Sequence, residues 1–410
     1  MSQGEQGPKL SSVYFFGFSK GDLMADRKKI AAVITSYFPR SHADVIVTKF
    51  LKGFPTDEGL LPPEVDIVSI YLDQTHFRED MGCAIAEEFD VPMYGSINQA
   101  LTLGGKELAV DGVLLIGEHG DYPWNEKEQH LYPRKYFFEQ ICGVFGSSGR
   151  SVPVFSDKHL SYNWHDAKWM VDRARELNVP FMAGSSVPLA WRKPWIEYEL
   201  DTEIETALSV AYSGLDSYGF HALEALQCMV ERRVGGETGI VAVHCLEGDS
   251  VWESNAWDRE LYDAAVEHIE AKEEGDVREH CKDPAVFLME YADGLKTATL
   301  MLNGYVKGWG YAARSNGEVE GMRVLLSDNP HPHFSYLSLN IQQMFLTGKP
   351  QYPVERTLLI SGALEALLDS RHQGHVRIDT PHLDVAYRSY EEMPIRSVNP
   401  DPVGASLVPF

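Results

Sequence analysis

The sequence predicts a two-part α/β protein, with a doubly wound parallel sheet followed by an α+β region built on an open, mostly antiparallel sheet. Strand and helix patterns alternate through the first half, which is typical of parallel sheets with helices on both faces. After about residue 187, longer strand-like segments appear, which suit antiparallel strands. We therefore expect one domain at residues 10–186 and a second at residues 187–410.

The first half divides into segments of strand type and helix type. The strand-like segments are SSVYFFGF, DVIVTKFL, DIVSIYL and GVLLIG. In RKKIAAVITSYF, apolar side chains recur on one helical face, at Ile30, Ala31, Ile34, Tyr37 and Phe38. GCAIAEEF and LYPRKYFFEQICGVFGSS are further helix candidates. This alternation predicts that helices connect neighbouring parallel strands.

One strand–helix–strand unit spans residues 150–186. It begins with the strand-like VPVF, continues with a helix that Asn163 and Asp166 can cap, and ends with VPFMAG. Lys158 and His159 lie in the turn after the first strand of this unit. Because ligands of open parallel sheets bind beyond the carboxyl ends of the strands, we expect chemistry at this turn.

The second half contains four long strand-like segments, IETALSVAYSG, GIVAVHCLEG, VFLMEYADG and KTATLMLNGYV. They suit a mostly antiparallel sheet with one face packed on helices. The segment EAKEEGDVREHCKD is highly charged, so we interpret it as a solvated insertion without a chemical role.

The composition is that of a soluble intracellular enzyme. A hydrophobic fraction of 44% argues against disorder, and a net charge of −24 argues against a nucleic-acid partner, because phosphates would be repelled. No segment approaches the roughly 18 apolar residues of a membrane span, and MSQGEQGPKL has no apolar signal core. The five cysteines are scattered without a CxxC pair. We expect a cytoplasmic protein that binds a small molecule and no membrane.

Segments across residues 12–375 resemble, in order, the glucose–fructose oxidoreductase/inositol dehydrogenase (Gfo/Idh/MocA-like) family. Asp157-Lys158-His159-Leu160 stands where the family has Glu-Lys-Pro-Leu, and DSYGFHALEALQCMVERR is similar to its histidine-bearing helix. VFLMEYADGLKTATLML and FLTGKPQYPVERTLLISGALEALLDSRHQG are similar to its sheet hairpin and C-terminal helix. The resemblance implies a Rossmann-like first domain, NAD or NADP as cofactor, and a sugar-like substrate. It also implies a homo-oligomer formed through a free sheet face or a sheet edge.

The resemblance also implies catalytic roles for Lys158 and His221. The family's lysine orients sugar and cofactor, and its histidine takes the substrate hydroxyl proton while hydride leaves for the nicotinamide. His159 replaces the family's proline and adds a second group that can transfer protons near neutral pH. Ser217 stands where the family usually has aspartate, so Tyr218 is an alternative proton donor in contact with the substrate.

The glycine-rich cofactor turn is degenerate. We place it at Gly17-Phe18-Ser19-Lys20-Gly21-Asp22, which lacks the GxGxxG spacing. Phe18 and Asp22 are poor neighbours for a pyrophosphate, so we expect weak dinucleotide binding or none. Gly17 and Gly21 either belong to a cofactor turn or are ordinary turn glycines. The expected cofactor contacts are Gly17, Ser19, Gly21 and Asp73, together with Glu118 and His119 of a later loop.

That later loop is GEHGDYPWNEKEQHLYPRK, after the strand GVLLIG. The resemblance places it against nicotinamide and substrate, with Asp121 as a substrate contact. Its carboxylates and imidazoles are ligand types for zinc, manganese or non-haem iron, so a divalent metal at Glu118, His119, Asp121 and His130 is an alternative. Because no HExxH spacing is present, solvated or hydrogen-bonded side chains are the other interpretation. Arg192, after the domain crossover, either holds a sugar or packs between domains.

Three functions therefore stay open. The first is a nicotinamide-dependent oxidoreductase acting on a sugar, polyol or sugar derivative. The second is a non-redox enzyme of the same fold, a lyase, an isomerase or a glycoside-cleaving enzyme, with or without a metal, that has lost ordinary NAD binding. The third is a sugar-binding protein without activity. The sequence does not name the sugar.

Overall fold

A computed structural model describes residues 27–410 as two large β-sheets with helices packed on them, together with a small two-stranded sheet formed by Phe54–Thr56 and Gly59–Leu61. In chain order, the elements of the first half are β1 (Lys28–Ile34), α1 (His42–Lys52), β2 (Phe54–Thr56), β3 (Gly59–Leu61), β4 (Val65–Leu72), α2 (Gly82–Glu88), α3 (Ile97–Thr102), β5 (Gly112–Ile116), α4 (Arg134–Ser148), β6 (Val154–Asp157), α5 (Trp164–Glu176) and β7 (Phe181–Gly184). Within the described residues, no helix is both long and apolar enough to cross a membrane.

The second half continues with a short 3₁₀ turn at Val187–Leu189 and enters the second sheet. Its elements are β8 (Trp191–Lys193), β9 (Ile204–Ala211), α6 (Ser217–Val230), β10 (Ile240–Glu247), α7 (Asp249–Glu253), α8 (Arg259–Glu267), α9 (Val277–His280), β11 (Ala285–Tyr291), β12 (Lys296–Met301), β13 (Trp309–Ser315), β14 (Glu318–Leu325), α10 (Pro332–Thr347), α11 (Val354–His372) and β15 (Ile378–Asp379), before a 3₁₀ turn at Gly404–Leu407.

The first sheet is parallel, with strand order β4-β1-β5-β6-β7. Successive side chains of β1 point to opposite faces. Ile30, Ala32 and Ile34 pack into the cluster that contains α1 and α10, whereas Ala31 and Val33 pack into the cluster that contains α3, α4 and α5. Both faces of the sheet are therefore covered, and the predicted Rossmann-like, doubly wound architecture is confirmed.

The first strand within the described residues lies where the sequence predicts a helix. The spacing in RKKIAAVITSYF predicts a helix, but Lys28–Ile34 is the strand β1, paired with β4 and β5. Five consecutive residues, from Ile30 to Ile34, are fully buried, which suits a strand covered on both faces better than an amphipathic helix. The predicted strand SSVYFFGF and the turn Gly17–Asp22 lie outside the described residues.

The segment DVIVTKFL is likewise not a strand, because it lies within helix α1. Ser41 caps this helix by accepting a hydrogen bond from the Asp44 amide, and Gly53 ends it. Its run of apolar residues reflects burial between the first sheet and α10, not strand periodicity. The strands DIVSIYL, GVLLIG, VPVF and VPFMAG, and the helices that begin after Met81, Pro133 and Asn163, are confirmed.

The second sheet has eight strands in the order β15-β10-β11-β12-β9-β13-β14-β8. Every neighbouring pair is antiparallel except β12 and β9, which run parallel. The mostly antiparallel second sheet predicted from the sequence is therefore confirmed. Helices α6 and α11 cover one face of it, as expected.

The opposite face of this sheet is not free. Leu261 and Ala265 of α8, with Trp257 and Val251, pack against Leu208, Val210, Val286 and Leu300 of the sheet. The insertion between β10 and β11 therefore supplies an apolar layer of its own, and only its distal part around α9 is a charged surface. The face is therefore not free where α8 covers it, and association through a sheet face or a sheet edge stays a prediction.

Candidate functional site

The carboxyl ends of the parallel strands face the start of α6 and the rim of the second sheet, and two neighbouring cavities open there. The central cavity, of about 330 Å³, is lined by His42, Lys158, Tyr218, His221 and Trp309. The loop cavity, of about 550 Å³, is lined by the segment after β5 and by residues that follow β4 and β6. Glu118, His119 and Ser217 border both cavities.

Lys158 connects the end of β6 to the start of α6 at the central cavity. It follows β6 directly, with a left-handed backbone (φ +68°) that is uncommon for a residue with a side chain. Its Nζ donates to the carbonyl oxygen of Ser217 (3.0 Å), the first residue of α6, and lies 3.4 Å from Oε1 of Glu118. The ammonium group is therefore held at the base of the cavity by a carbonyl and a carboxylate. This is the position that the sequence predicted for Lys158.

Glu118 is buried between two cations. Its other oxygen, Oε2, accepts from Arg134 of α4, and the Arg134 guanidinium also reaches Nε2 of His159 at 3.2 Å. Burial alone would raise the pKa of the Glu118 carboxyl, but Lys158 and Arg134 together hold that pKa well below its usual range. Glu118 is thus a permanent carboxylate in this site. The arginine packs so closely that a Cβ at Gly117 would lie 2.6 Å from its Cγ.

His221 projects from α6 into the central cavity. Its Nδ1 lies 2.6 Å from Oγ of Ser185, which leaves Nε2 as the ring nitrogen without that partner. Glu224 does not contact the imidazole, although one helical turn separates the two. It accepts instead from the Ser185 amide (3.2 Å) and from Thr357 (2.6 Å), and so fixes the residue that holds the imidazole. Burial, Lys158 and His42 lower the pKa of His221 well below its usual value, so the ring is neutral.

His42 is a site residue that the sequence did not reveal. It is the first residue of α1, and its Nδ1 lies 2.7 Å from Oδ2 of Asp157 at the end of β6. Its ring centroid lies 5.4 Å from that of His119 and 6.2 Å from that of His221. The available signal was the apolar run before Pro39, followed by Ser41 and Asp44 at capping spacing, which would have placed a helix start beside His42.

The turn between β1 and α1 occupies the place of the glycine-rich turn in dinucleotide-binding folds, and it contains no glycine. It reads Thr35-Ser36-Tyr37-Phe38-Pro39-Arg40-Ser41. The chain itself uses several of the amides near the helix start: Arg40 N donates to Asp44 Oδ2 (2.7 Å), and both Phe38 N and Asp44 N donate to Ser41 Oγ (3.2 Å each). A pyrophosphate binds through such amides, so this turn offers it few donors.

Phe38 and its neighbours further fill this end of the cleft. Its ring packs edge-on against His119 (5.3 Å between centroids) and Phe77 (5.8 Å), and the Arg78 guanidinium lies 4.8 Å from its centroid. Asp73 directly follows β4, which lies next to β1, at the position where dinucleotide-binding folds carry the acid that holds a ribose hydroxyl. In this chain it accepts hydrogen bonds from Tyr71 (2.7 Å) and Tyr122 (2.6 Å).

The remaining predicted site residues divide between the cavities and other parts of the molecule. Tyr218 lines the central cavity, stacked on Trp309 with 5.9 Å between centroids. His159 and His130 line the loop cavity, where His130 Nε2 lies 2.9 Å from the Tyr122 carbonyl oxygen. Asp121 is exposed at the rim, and its backbone is paired with the Gln74 side chain.

Arg192 lies outside both cavities, in the packing arrangement that was one of its two interpretations. Its guanidinium is buried and donates to Glu197 (2.6 Å) and to the carbonyl oxygens of Ile196 (2.9 Å) and Pro188 (3.2 Å). These bonds fix the chain where it passes into the second sheet. Gly17, Ser19 and Gly21, the other expected cofactor contacts, lie outside the described residues.

Comparisons with known proteins identify the fold. No protein-family model matches the sequence, and no curated protein is significantly similar to it. Among solved structures, GenD2 from gentamicin A biosynthesis, in complex with NAD, is similar with a TM-score of 0.56 and 14% identity over 88% of this chain and 99% of that one. Myo-inositol 2-dehydrogenase from Lactobacillus plantarum gives a TM-score of 0.54 and 10% identity over 86% and 99%.

Scyllo-inositol dehydrogenase from Lactobacillus casei, with bound NAD(H) and scyllo-inositol, is similar with a TM-score of 0.52 and 11% identity over 86% of this chain and 99% of that one. The chain thus shares the fold of inositol dehydrogenases, a parallel sheet followed by a mostly antiparallel one, as the sequence resemblance implied. At 10–14% identity, these similarities establish the fold. Which ligands the chain binds has to be argued from the residues of its own site.

Proposed function

We propose that this chain is an enzyme that transfers protons on a sugar-like substrate without a nicotinamide cofactor, as an isomerase or a lyase. The observation that carries the proposal is the glycine-free turn from Thr35 to Ser41. In that turn, side chains of Ser41 and Asp44 take amides that a pyrophosphate would need. The fold is that of dinucleotide-dependent dehydrogenases, but its cofactor turn has a different chemistry.

The central cavity supports proton transfer directly. His221 presents a neutral imidazole whose Nδ1 is held by Ser185. In the tautomer that donates from Nδ1 to the Ser185 hydroxyl, Nε2 can accept a proton from a carbon next to a carbonyl group. The Lys158 ammonium group lies in the same cavity and would stabilise the negative charge that develops on the carbonyl oxygen. The stacked rings of Tyr218 and Trp309 form an apolar wall suited to the C–H face of a sugar.

His159 has a different part in this proposal from the one that its place beside Lys158 suggested. It is buried against Arg134 and lines the loop cavity, so it helps to position the Arg134–Glu118 pair. We therefore assign proton transfer to His221 and orientation of the substrate to Lys158.

Among the three non-redox reactions, glycoside cleavage by the usual two-carboxyl mechanism is not supported by Glu118. It uses two carboxyl groups across the scissile bond, one of which must donate a proton. Glu118 is the carboxylate that borders both cavities, and its two oxygens face Arg134 and Lys158. A carboxylate held in this way stabilises charge and does not deliver a proton.

A nicotinamide-dependent oxidoreductase is the second candidate, and Asp73 favours it. This carboxylate directly follows the strand beside β1, where a ribose hydroxyl is held in dinucleotide-binding folds. GenD2 and scyllo-inositol dehydrogenase, which share the fold, have NAD bound. In this candidate, His221 would take a hydroxyl proton, and a bound nicotinamide would supply the hydride acceptor. Asp73 already accepts hydrogen bonds from two tyrosines. A nucleotide-binding experiment must therefore establish whether it can also bind a ribose hydroxyl.

Deuterium exchange tests the proposal without requiring the natural substrate to be known in advance. The protein, free of added nucleotide, is incubated in D₂O with a panel of keto sugars, keto-inositols and sugar acids, and carbon-bound protons are followed by NMR. We expect exchange next to a carbonyl group in at least one class of compound, and none with His221→Ala. Exchange that requires NAD, or reduction of added NAD, would support the oxidoreductase. Saturable sugar binding without exchange would instead indicate a binding protein.

Homo-oligomerisation through a sheet edge stays a prediction. The strands β15 and β8 are the edges of the second sheet, whereas α8 covers the face between them. Light scattering at micromolar concentration would distinguish an oligomer from a monomer.

A further inference from the structure

We infer that His42, Glu118 and His119 form a binding site for a divalent transition metal. One ligand atom from each of these side chains lies within 4.8 Å of those of the other two. The three come from different parts of the first domain, His42 from the start of α1 and the other two from the segment after β5. Two imidazoles and one carboxylate, with room for a further ligand, are a set that binds zinc, iron(II) or manganese.

Asp157 prepares His42 for this role. Its carboxylate holds Nδ1 of the imidazole at 2.7 Å, so Nε2 is the nitrogen that can face a cation. A histidine ligand whose second nitrogen is bonded to a carboxylate is the usual arrangement at protein metal sites, because the carboxylate fixes the ring and increases its basicity. Asp157 is itself almost completely buried, so it is positioned by the fold.

His119 is held beside His42 by a backbone that few residues with side chains adopt. Its φ is +68°, and the following Gly120 has a φ of +125°. Strained backbone of this kind persists where the surrounding structure enforces it, and it is concentrated at functional sites. Its ring packs between Phe38 and His42, so the imidazole is fixed in place.

The cations next to Glu118 leave it able to act as a ligand. Arg134 takes Oε2, whereas Oε1 faces Lys158 at 3.4 Å, longer than the 3.0 Å bond from Lys158 to the Ser217 carbonyl. The carboxylate therefore has one oxygen without a short bond to a neighbouring cation. A cation at this site would lie on the border of both cavities, where it could polarise a substrate oxygen.

The inferred site differs from the ligand set that the loop sequence suggested. Glu118 and His119 belong to both sets, but His42 takes the place of Asp121 and His130. His130 contacts a backbone carbonyl oxygen in the loop cavity, and Asp121 is exposed. These two residues provide matched controls, because they lie in the same loop as two of the inferred ligands.

Metal binding tests the site independently of any reaction. The full chain is stripped with a chelator, and Zn²⁺ and Mn²⁺ are titrated separately by calorimetry, with elemental analysis of the protein as purified. We expect one equivalent of at least one metal, and affinity reduced by about 100-fold or more in His42→Ala and His119→Ala. His130→Ala and Asp121→Ala should bind like the unmodified chain.

Asp157→Asn tests the site with a variant in which weaker metal binding can be distinguished from misfolding. It removes the charge behind His42 and keeps the size of the side chain, so we expect affinity to fall by about 10- to 100-fold, with an unchanged circular dichroism spectrum. No saturable binding of either metal to the unmodified chain would overturn the inference. Loss of binding in His130→Ala together with full binding in His42→Ala would overturn it as well. Because these titrations involve no substrate, a negative result would overturn the metal site and would not affect the proposed function, which the deuterium-exchange experiment tests separately.

Discussion

Nδ1 of His42 lies 2.7 Å from Oδ2 of Asp157, and this contact joins the start of α1 to the end of β6 across the intervening strand β5. Dinucleotide-binding folds use the start of the first helix to hold a pyrophosphate. In this chain the same position carries an imidazole that a buried carboxylate orients towards the central cavity. The contact therefore connects the altered cofactor turn with the cluster of polar groups around Lys158.

Replacing His221 by alanine should reduce turnover by about 100-fold or more, the usual scale for a positioned proton-transfer group. The imidazole is held by Ser185 at the cavity wall, and its removal leaves no group in the same place to accept the proton. The rate of deuterium exchange measures the effect. His165→Ala, at an exposed position on α5, is the control and should keep full activity. Equal rates in both variants would show that the base lies elsewhere.

Gly184→Ala should destabilise the protein by about 2–4 kcal/mol. The φ of Gly184 is +122°, and a Cβ there would lie 2.7 Å from both Oε2 of Glu224 and Oγ1 of Thr357. Urea unfolding measures the change. Gly143→Ala, in the exposed middle of α4 with open space around it, should instead stabilise by up to about 1 kcal/mol. Similar effects at both positions would contradict the close packing at Gly184.

Arg134→Met should cost about 3–5 kcal/mol, because it leaves the buried Glu118 carboxylate with only Lys158 as a charged partner. The free energy of unfolding in urea gives the measure. The double variant Arg134→Met with Glu118→Gln should recover part of the loss, since the unpaired charge is then removed. A single variant as stable as the unmodified chain would show that the pair is not buried as described.

Lys49 should make stability depend on pH. Burial lowers its pKa from the ordinary lysine value to about 7, and its Nζ donates to the Pro330 carbonyl oxygen at 2.7 Å. Between pH 7 and 9.5 the unfolded chain keeps this proton and the folded chain does not, so stability should rise with pH by about 3 kcal/mol. Lys49→Met should remove this rise, whereas the exposed Lys168→Met should retain it. Parallel pH profiles for the unmodified chain and Lys49→Met would contradict the prediction.

Much of the fold could be predicted because the spacing of apolar residues along the chain shows which side of a strand or helix is buried. The unit around Lys158 was predicted from one apolar strand, a capped helix and a second apolar strand, and the structure places all three as expected. The beginning of the fold was not predictable in this way. In β1, residues that are buried on both faces of the sheet also recur at helical spacing, so the pattern predicts a helix. In α1, most residues are buried, so the run of apolar side chains resembles that of a buried strand.

The site residues that directly follow strands could be predicted from the sequence. Those contributed by helices from other parts of the chain could not. Lys158 and Glu118 come directly after β6 and shortly after β5, so their position follows from the topology. His42 and Arg134 depend on where their helices begin and which way those helices face. Arg192 could not be assigned from its neighbours in sequence, because its partners are carbonyl oxygens fixed by the tertiary structure.

Titration of the metal-free chain with NAD and NADP by calorimetry tests the central claim most directly. We expect no saturable binding below about 1 mM, which corresponds to only about 4 kcal/mol of binding free energy. The physical reason is the glycine-free turn, whose amide groups Ser41 and Asp44 already engage. Micromolar binding of either nucleotide, weakened by Asp73→Ala, would contradict the claim and establish the oxidoreductase as the better account.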